Sequence, residues 1–206
     1  SLDEALHCLI AMSGNDCAVL LAETLAGSEA AFASRMTDTA HRIGAENSTF
    51  GSASGLFGDL SSARDIAMIF RAVNDRFPAL YDEYFTPLTT PLRNQTWNNC
   101  RLCDDGIEAT GQKTGTTTPS GHSLIVQIER EGRRYIVVTM GTPSSTARMN
   151  RAVQLASATW SWDTNATAVM YANRRYLSAQ QHPTTQSPPP QVVASRPTVP
   201  TGPIPN

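Results

Sequence analysis

Lysine is nearly absent from the sequence. Of the 16 lysine and arginine residues in the 206-residue chain, only Lys113 is a lysine. Because it does not belong to a set of solubilising amines, we expect it to have a specific role. In the segment Gln112-Lys113-Thr114-Gly115-Thr116-Thr117, glycine lets a ligand approach the backbone, and threonines offer hydroxyl groups beside the positive charge. The alternative is an exposed loop, since a Lys-Thr-Gly triplet often arises by chance.

Long apolar runs and a strong net charge are also absent. The sequence has no run of about 18 apolar residues, which predicts that it contains no transmembrane helix. The net charge is −2, which gives no reason to expect nucleic acid or an anionic membrane as a partner. With 40% hydrophobic residues, the chain is long enough for one core of ordinary size, and we predict one domain followed by a tail.

Cysteine is scarce, and its spacing leaves several alternatives open. Cys8, Cys17, Cys100 and Cys103 allow three pairings if all four are oxidised. Cys100 and Cys103 have a Cys-x-x-Cys spacing, but no second Cys or His pair lies nearby to complete a zinc site. Structural disulfides or inert thiols are therefore favoured over metal or redox chemistry. In an exported protein, a bridge within each local pair would be plausible.

A second short motif precedes the lysine segment by about a hundred residues. It is Ser13-Gly14-Asn15-Asp16, between an apolar run and a helical pattern. In penicillin-binding proteins and class A β-lactamases, Lys-Thr-Gly occurs together with Ser-Asp-Asn and a Ser-x-x-Lys nucleophile motif. The chain therefore resembles the low-molecular-weight penicillin-binding proteins, the D-alanyl-D-alanine carboxypeptidases. The likeness continues in Ala18, Gly55-Leu56, Ser61-Ser62-Ala63-Arg64-Asp65, Arg93-Asn94 and Asp105-Gly106-Ile107.

The resemblance implies a fold and an activity. The fold would be α/β (α+β) and β-lactamase/transpeptidase-like, with an antiparallel sheet flanked by helices plus a mainly helical half, incomplete at the N-terminus. The activity would be trimming of peptidoglycan stem peptides ending in D-Ala-D-Ala through an acyl-enzyme, outside the cytoplasm or in the periplasm, without a cofactor or a metal. β-Lactams would inhibit it, because they mimic the ends of these peptides.

The Ser-x-x-Lys motif itself is missing. The only lysine is Lys113, and the residue three positions before it is Thr110. In the family, the serine of this motif attacks the substrate and its lysine partner moves the proton. We therefore expect the chain to be an inactive fragment of a carboxypeptidase, cut downstream of the nucleophile. The alternatives are a β-lactamase-like hydrolase, for which no motif supplies a deacylating base, and a nonenzymatic peptidoglycan-binding pseudoenzyme.

The resemblance implies catalytic roles for three residues. Ser13 would relay a proton between the lysine of the missing motif and the leaving amine, and Asn15 would hydrogen-bond the substrate's peptide amide and that missing lysine. Lys113 would hold positive potential over the substrate carboxylate and keep the proton transfers poised. An ordinary turn serine and a helix-capping asparagine are the alternatives for the first two.

Five further residues would bind substrate. Thr114 and Thr116 would contact the peptide or its carboxylate, and Gly115 would let the strand run alongside the peptide. Arg148 resembles the family's carboxylate-binding arginine, and Arg93 is a weaker candidate near the cleft. A surface ion pair is the alternative for each arginine. The segment from Cys100 to Gln112 looks longer than the family's usual approach to the lysine, so the register of this strand stays open.

Hydrophobic periodicity predicts helices in the first hundred residues and strands after them. Predicted helices cover 2–12, 16–27 with Asp16 as N-cap, a segment opened by Ser28 and ended at Gly44, and a segment capped by Ser61 or Ser62 and ended by Pro78. Strands are predicted at 107–115, 122–130 and 133–140, followed by a helix capped by Ser145 or Thr146 with Trp160 facing inward. We predict a catalytic domain over 1–162, an uncertain extension over 163–182 and a proline-rich disordered tail over 183–206.

Overall fold

The first part of the chain is helical, as the periodicity predicts. The computed structural model describes residues 1–86, 89–92, 95–98, 109–130, 132–158 and 169–172. Within these residues, five helices precede the strands. They are α1 (Leu2–Ala11), α2 (Asn15–Ala26), α3 (Glu29–Arg42), α4 (Ala63–Arg76) and α5 (Pro78–Phe85).

Serine caps fix the starts of α3 and α4. Ser28 Oγ accepts a hydrogen bond from the Ala31 amide at 3.1 Å, and Ser62 Oγ accepts one from the Asp65 amide at 3.1 Å. Each cap satisfies a backbone donor that the helix itself leaves without a partner. The predictions of a cap at Ser28 and at Ser61 or Ser62 are confirmed, with Ser62 as the capping residue.

The prediction of Asp16 as N-cap is wrong. The helix α2 begins at Asn15, and its N-cap is Gly14, which has extended backbone and makes no side-chain capping bond. The Asp16 carboxylate instead accepts a hydrogen bond from the neighbouring Cys17 amide at 3.0 Å. Asn15 is therefore the first residue of the helix, directly after the three-residue connection Met12-Ser13-Gly14 from α1.

The helix α5 was not expected. Pro78 was predicted only to end the preceding helix, but it is also the first residue of α5. Proline suits this position because its fixed φ is helical and its missing N–H would have no helical acceptor there. Tyr81, which we expected to pack in the helical half, is 1% exposed. Its ring packs edge-on against Phe70, with ring centroids 5.3 Å apart.

The second half forms a sheet with the predicted hairpin at its centre. Its strands are β3 (Ala109–Thr117), β4 (Gly121–Arg130), β5 (Arg133–Thr142) and β6 (Val169–Ala172), after a separate small hairpin of β1 (Thr89–Leu92) and β2 (Gln95–Asn98). The strand order is β3-β4-β5-β6. The first three strands are antiparallel, whereas β6 pairs with β5 in parallel. The strand that carries Lys113 thus lies at an edge of the sheet.

Helices cover both faces of this sheet. On one face, Leu124, Val126 and Val137 pack against the last helix, α6 (Ser145–Ala158), through its buried Ala152 and Leu155. On the other face, Ile125, Ile136 and Val138 pack against Ala63, Ala67 and Phe70 of α4 and Tyr81 of α5. Alternation of side chains along a strand places these two sets on opposite faces. The predicted arrangement of a sheet flanked by helices is confirmed.

Several predictions fall outside the described residues or stay untested. Trp160, predicted to face inward, and the proline-rich segment 183–206 lie outside them, and the domain boundaries stay a prediction. Within the described part of the chain, no single helix is both long and apolar enough to cross a membrane. By length and composition alone, the pair α2 and α3 passes this test together, with a bend of 85° between them.

Candidate active site

The two sequence motifs meet in space. Lys113 Nζ donates a hydrogen bond to Ser13 Oγ at 2.6 Å and another to the Thr114 carbonyl at 2.8 Å. Ser13 lies between α1 and α2, and Lys113 lies in β3 directly opposite Ile125 of β4. A hundred residues separate the donor from the acceptor. The helical half and the sheet therefore each supply one member of the pair.

The turn that carries Ser13 has an unusual backbone. Ser13 has a φ of 61° and is the one non-glycine residue with positive φ in the described ranges. Residues with a Cβ rarely adopt this left-handed region, and such strain persists only where the surroundings hold it in place. Asn15 follows two residues later and is exposed at the start of α2.

The environment of Lys113 shifts its protonation equilibrium toward the neutral amine. Burial and, to a smaller extent, the positive charge of Arg148 lower the pKa of Lys113 from 10.5 to about 8. Removing an ammonium group from water disfavours its charged state, and a nearby cation does the same. An amine with a pKa near the working pH can both give and accept a proton.

Arg148 reaches this site from the first turn of α6. Its side chain is 6% exposed and donates to the carbonyls of Gly115 at 3.5 Å and Ser123 at 3.3 Å. It also donates to Thr116 Oγ1 at 3.4 Å and to Ser145 Oγ at 3.1 Å. The guanidinium thus lies beside the far end of the Lys-Thr-Gly segment, hydrogen-bonded to the strands β3 and β4.

The end of β3 beyond Lys113 borders open space. Gly115 and Thr116 are exposed, and a Cβ added at Gly115 would meet nothing within 4 Å. Thr116 Oγ1 lies 3.2 Å from His122 Nδ1 of β4. An open edge strand with small residues leaves room for an extended peptide to pair with it.

Sequence reasoning missed two contacts of this site. The sequence motifs do not include His122, although its ring contacts Thr116. Its position in the strand opposite Thr116 becomes visible only once the hairpin register is known. Gly14 also escaped notice as a packing position, although a Cβ there would lie 2.4 Å from Cys8 Sγ.

The cysteine predictions have two outcomes. Cys8 and Cys17 form a disulfide in the structure, which was one of the alternatives left open. Cys100 and Cys103 lie outside the described residues. The same holds for Arg93 and for Asp105-Gly106-Ile107, so the predicted role of Arg93 stays a prediction.

Two other polar features lie away from Lys113. A cavity of about 620 Å³ lies where α4 and α5 meet the sheet, and its lining includes Asn74, Tyr81 and Gln127 but neither Ser13 nor Lys113. At the surface between α1 and α5, His7 Nε2 lies 3.6 Å from an Asp3 carboxylate oxygen and 3.5 Å from one of Glu83. Both carboxylates of this second group are exposed, and the group lies at the surface.

Comparison with known proteins identifies the family. The sequence profile described as D-alanyl-D-alanine carboxypeptidase matches residues 1–144. The chain belongs to this family. The carboxypeptidase DacC of Escherichia coli K12 is 31% identical over 160 residues, which cover 74% of this chain and 38% of DacC. DacD of Salmonella typhimurium is 33% identical over 156 residues, covering 71% of this chain and 38% of DacD. The chain thus spans well under half the length of these carboxypeptidases.

Solved structures share the carboxypeptidase fold. Penicillin-binding protein 5 of Haemophilus influenzae matches with a TM-score of 0.66 and 27% identity, covering 74% of this chain and 45% of the other. Penicillin-binding protein D2 of Listeria monocytogenes, solved with ampicillin bound, matches with a TM-score of 0.69 and 24% identity, covering 78% and 67%. The identity of the second pair supports the shared fold alone. The predicted penicillin-binding-protein fold is confirmed.

Proposed function

We propose that this chain supplies the proton-transfer and peptide-binding part of a serine-type D-Ala-D-Ala carboxypeptidase that trims peptidoglycan stem peptides. The observation that carries the proposal is the 2.6 Å hydrogen bond between Lys113 Nζ and Ser13 Oγ. A lysine whose pKa is lowered to about 8 and a serine hydroxyl in direct contact form a pair that can move a proton. Membership of the carboxypeptidase family supplies the reaction class.

In this proposal, Ser13 and Lys113 act on the leaving group. When the bond to the terminal D-alanine breaks, its nitrogen must gain a proton. The Ser13 hydroxyl donates that proton, and Lys113 replaces it through their hydrogen bond. Asn15, at the start of α2, donates its side-chain amide to the substrate's peptide carbonyl and orients the bond that breaks. Lys113 also stabilises negative charge as it develops.

The edge of β3 binds the peptide. An extended stem peptide pairs with the backbone beside Thr114 and Gly115, where the structure has open space. The Thr116 hydroxyl and the Arg148 charge hold the terminal carboxylate. Arg148 already contacts Thr116 Oγ1 at 3.4 Å, which supports their acting on one group. Arg93 lies outside the described residues, and a substrate-binding role for it rests on the resemblance alone.

No residue of this chain is assigned as the attacking serine, because the sequence contains no Ser-x-x-Lys motif. Peptidoglycan lies outside the cytoplasm, so the site works in the periplasm or at the cell wall. β-Lactams, which resemble the D-Ala-D-Ala end, would inhibit such an enzyme by acylating its attacking serine.

The test uses protein expressed from the complete gene and treated with a fluorescent penicillin. We expect covalent labelling, and we expect Lys113→Ala and Ser13→Ala to slow labelling by at least about 100-fold, since each removes half of the proton-transfer pair. Arg71→Gln is the matched control. It removes a charge on α4 that pairs with Asp75 and should leave the labelling rate unchanged.

The outcomes separate the alternatives. Stable labelling together with release of D-alanine from a D-Ala-D-Ala peptide supports the carboxypeptidase. Labelling followed by fast hydrolysis of the penicillin would instead indicate a β-lactamase. Complete absence of labelling would overturn the enzymatic proposal and favour a nonenzymatic peptidoglycan-binding protein.

A further inference from the structure

A disulfide encloses the turn that carries Ser13. Cys8 lies in the last part of α1 and Cys17 in the first turn of α2, and their bond joins residues nine positions apart. Ser13, Gly14 and Asn15 all lie inside the loop that it closes. The bridge therefore ties together the two helices that present the serine motif.

The backbone of the turn depends on Cys8 as well. The amides of Met12 and Gly14 both donate to the Cys8 carbonyl, at 3.2 and 3.0 Å. Between these two amides lies Ser13 with its left-handed backbone. A residue with a Cβ keeps such a conformation only when neighbouring bonds impose it. Cys8 thus constrains the turn through its carbonyl and through its sulfur.

Gly14 is the point where the bridge and the turn touch. A Cβ built on Gly14 would lie 2.4 Å from Cys8 Sγ and 3.3 Å from the Cys8 carbonyl oxygen. Since Gly14 has an extended backbone that any residue can adopt, glycine is required here by space and not by conformation. The sulfur occupies the volume that a side chain would need, so the bridge packs directly against the turn.

We infer that the Cys8–Cys17 disulfide positions Ser13, holding its hydroxyl within hydrogen-bond distance of Lys113 Nζ. Both cysteines are positioning residues, and neither touches substrate. The catalytic meaning of this inference rests on the proposed function, whereas the positioning itself rests on the geometry of the turn. Reduction of the bridge would release the turn and weaken the Ser13–Lys113 contact while the sheet and its two helical layers stay folded.

The single lysine makes this testable without any enzymatic assay. With lysine labelled with ¹³C at Cε, the full chain gives one lysine signal, whose pH titration reports the acid dissociation constant of Lys113. In the bridged protein, Ser13→Ala removes the acceptor from the charged amine. Because the charged amine loses this partner, we expect the acid dissociation constant of Lys113 to increase about fivefold. In a Cys8→Ala/Cys17→Ala background, we expect the same substitution to change it less than about twofold, because Ser13 is no longer held there.

A second variant covers the case in which the Cys8→Ala/Cys17→Ala chain does not fold. Gly14→Ala in the bridged protein forces the sulfur and the turn apart, so the effect of Ser13→Ala should fall there too. Circular dichroism is recorded for every variant. Equal effects of Ser13→Ala with and without the bridge, or an undiminished effect beside Gly14→Ala, would overturn the inference, as would no effect of Ser13→Ala in the native chain. If this coupling holds while penicillin labelling fails, the proposed function falls and the positioning stands.

Discussion

Lys113 should lose its proton at a much lower pH than an ordinary lysine. Its pKa is lowered from 10.5 to about 8, chiefly by burial. At pH 7, a pKa of about 8 leaves roughly one molecule in ten with a neutral amine, compared with about one in three thousand for an ordinary lysine. The site therefore holds roughly 300 times more of the neutral amine than solvent-exposed lysine would.

The assay is a pH titration followed by NMR. With ¹³Cε-lysine incorporated, the sequence gives one lysine signal, and its midpoint should lie near pH 8. Arg148→Gln removes the smaller of the two causes, so the midpoint should rise but stay below 10.5, because burial persists. Arg71→Gln, remote from the site, should leave it unchanged. A midpoint at about pH 10 or above in the native chain would refute the reasoning.

The same titration has a consequence for stability. The pKa of Lys113 is lower in the folded than in the unfolded chain, so the unfolded chain binds more protons between pH 8 and 10.5. The free energy of unfolding should therefore rise with pH through this window. Below the window, the buried charged amine of Lys113 destabilises the folded chain by its full amount, which is the penalty. Lys113 is partly exposed, so we expect the penalty to be about 1–3 kcal/mol and not larger. Lys113→Met should remove this penalty. The measurement is the free energy of unfolding of both chains from urea denaturation at pH 7 and at about pH 9.5.

Tyr81 limits the pH range over which the effect of Lys113 on stability can be measured separately. Burial raises the pKa of its hydroxyl above the ordinary value. A raised pKa for an acid means that the folded chain loses stability as the pH rises past the unfolded value near 10. The contributions of Lys113 and Tyr81 to the pH dependence of stability thus have opposite signs between pH 10 and 10.5. Lys113→Met and native chains should be compared below that point.

Three substitutions test the framework around the site. Asp65 is fully buried, and its carboxylate accepts a hydrogen bond from the Asn47 amide at 2.7 Å. In urea denaturation, Asp65→Ala should therefore lower the free energy of unfolding by about 2–4 kcal/mol, and Asp65→Asn should lower it by less. Gly111→Ala would place a Cβ 2.0 Å from the Tyr81 hydroxyl, and calorimetry should show a loss of about 1–3 kcal/mol; an unchanged melting temperature would contradict that packing. Tyr81→Phe removes a buried hydroxyl that has no hydrogen-bond partner among the described residues, so its stability should change by less than about 1 kcal/mol or increase.

The sequence predicts the architecture well where local signals are strong. The hairpin of β4 and β5 follows from two β-rich runs around Gly132, and the starts of α3 and α4 follow from Ser28 and Ser62. The meeting of Ser13 and Lys113 follows from the co-occurrence of two motifs that no local propensity links. The hairpin and the two helix starts each carry a short pattern whose physical cause lies in the same few residues, whereas the Ser13–Lys113 contact joins residues a hundred positions apart.

The sequence predicts less where a contact comes from elsewhere in the fold. The left-handed backbone of Ser13 and the glycine at position 14 depend on Cys8 Sγ, whose place is fixed only when α1 and α2 pack. Pro78 signals a helix end and a helix start equally well, so α5 needs the tertiary burial of Tyr81 to decide. His122 meets Thr116 only through the register of β3 and β4. These features follow from packing and pairing, which a pattern along one chain does not encode.

The separation of Ser13 and Lys113 along the chain also bears on how the protein folds. Closing a loop of 100 residues costs about 4 kcal/mol of chain entropy before any contact compensates for it. Local helices and the β4–β5 hairpin form at small sequence separation, so we expect them to come first. The amine and the hydroxyl then meet only when the helical half docks on the sheet. A partly folded chain would lack this pair, which makes the Lys113 signal a reporter of the last step of assembly.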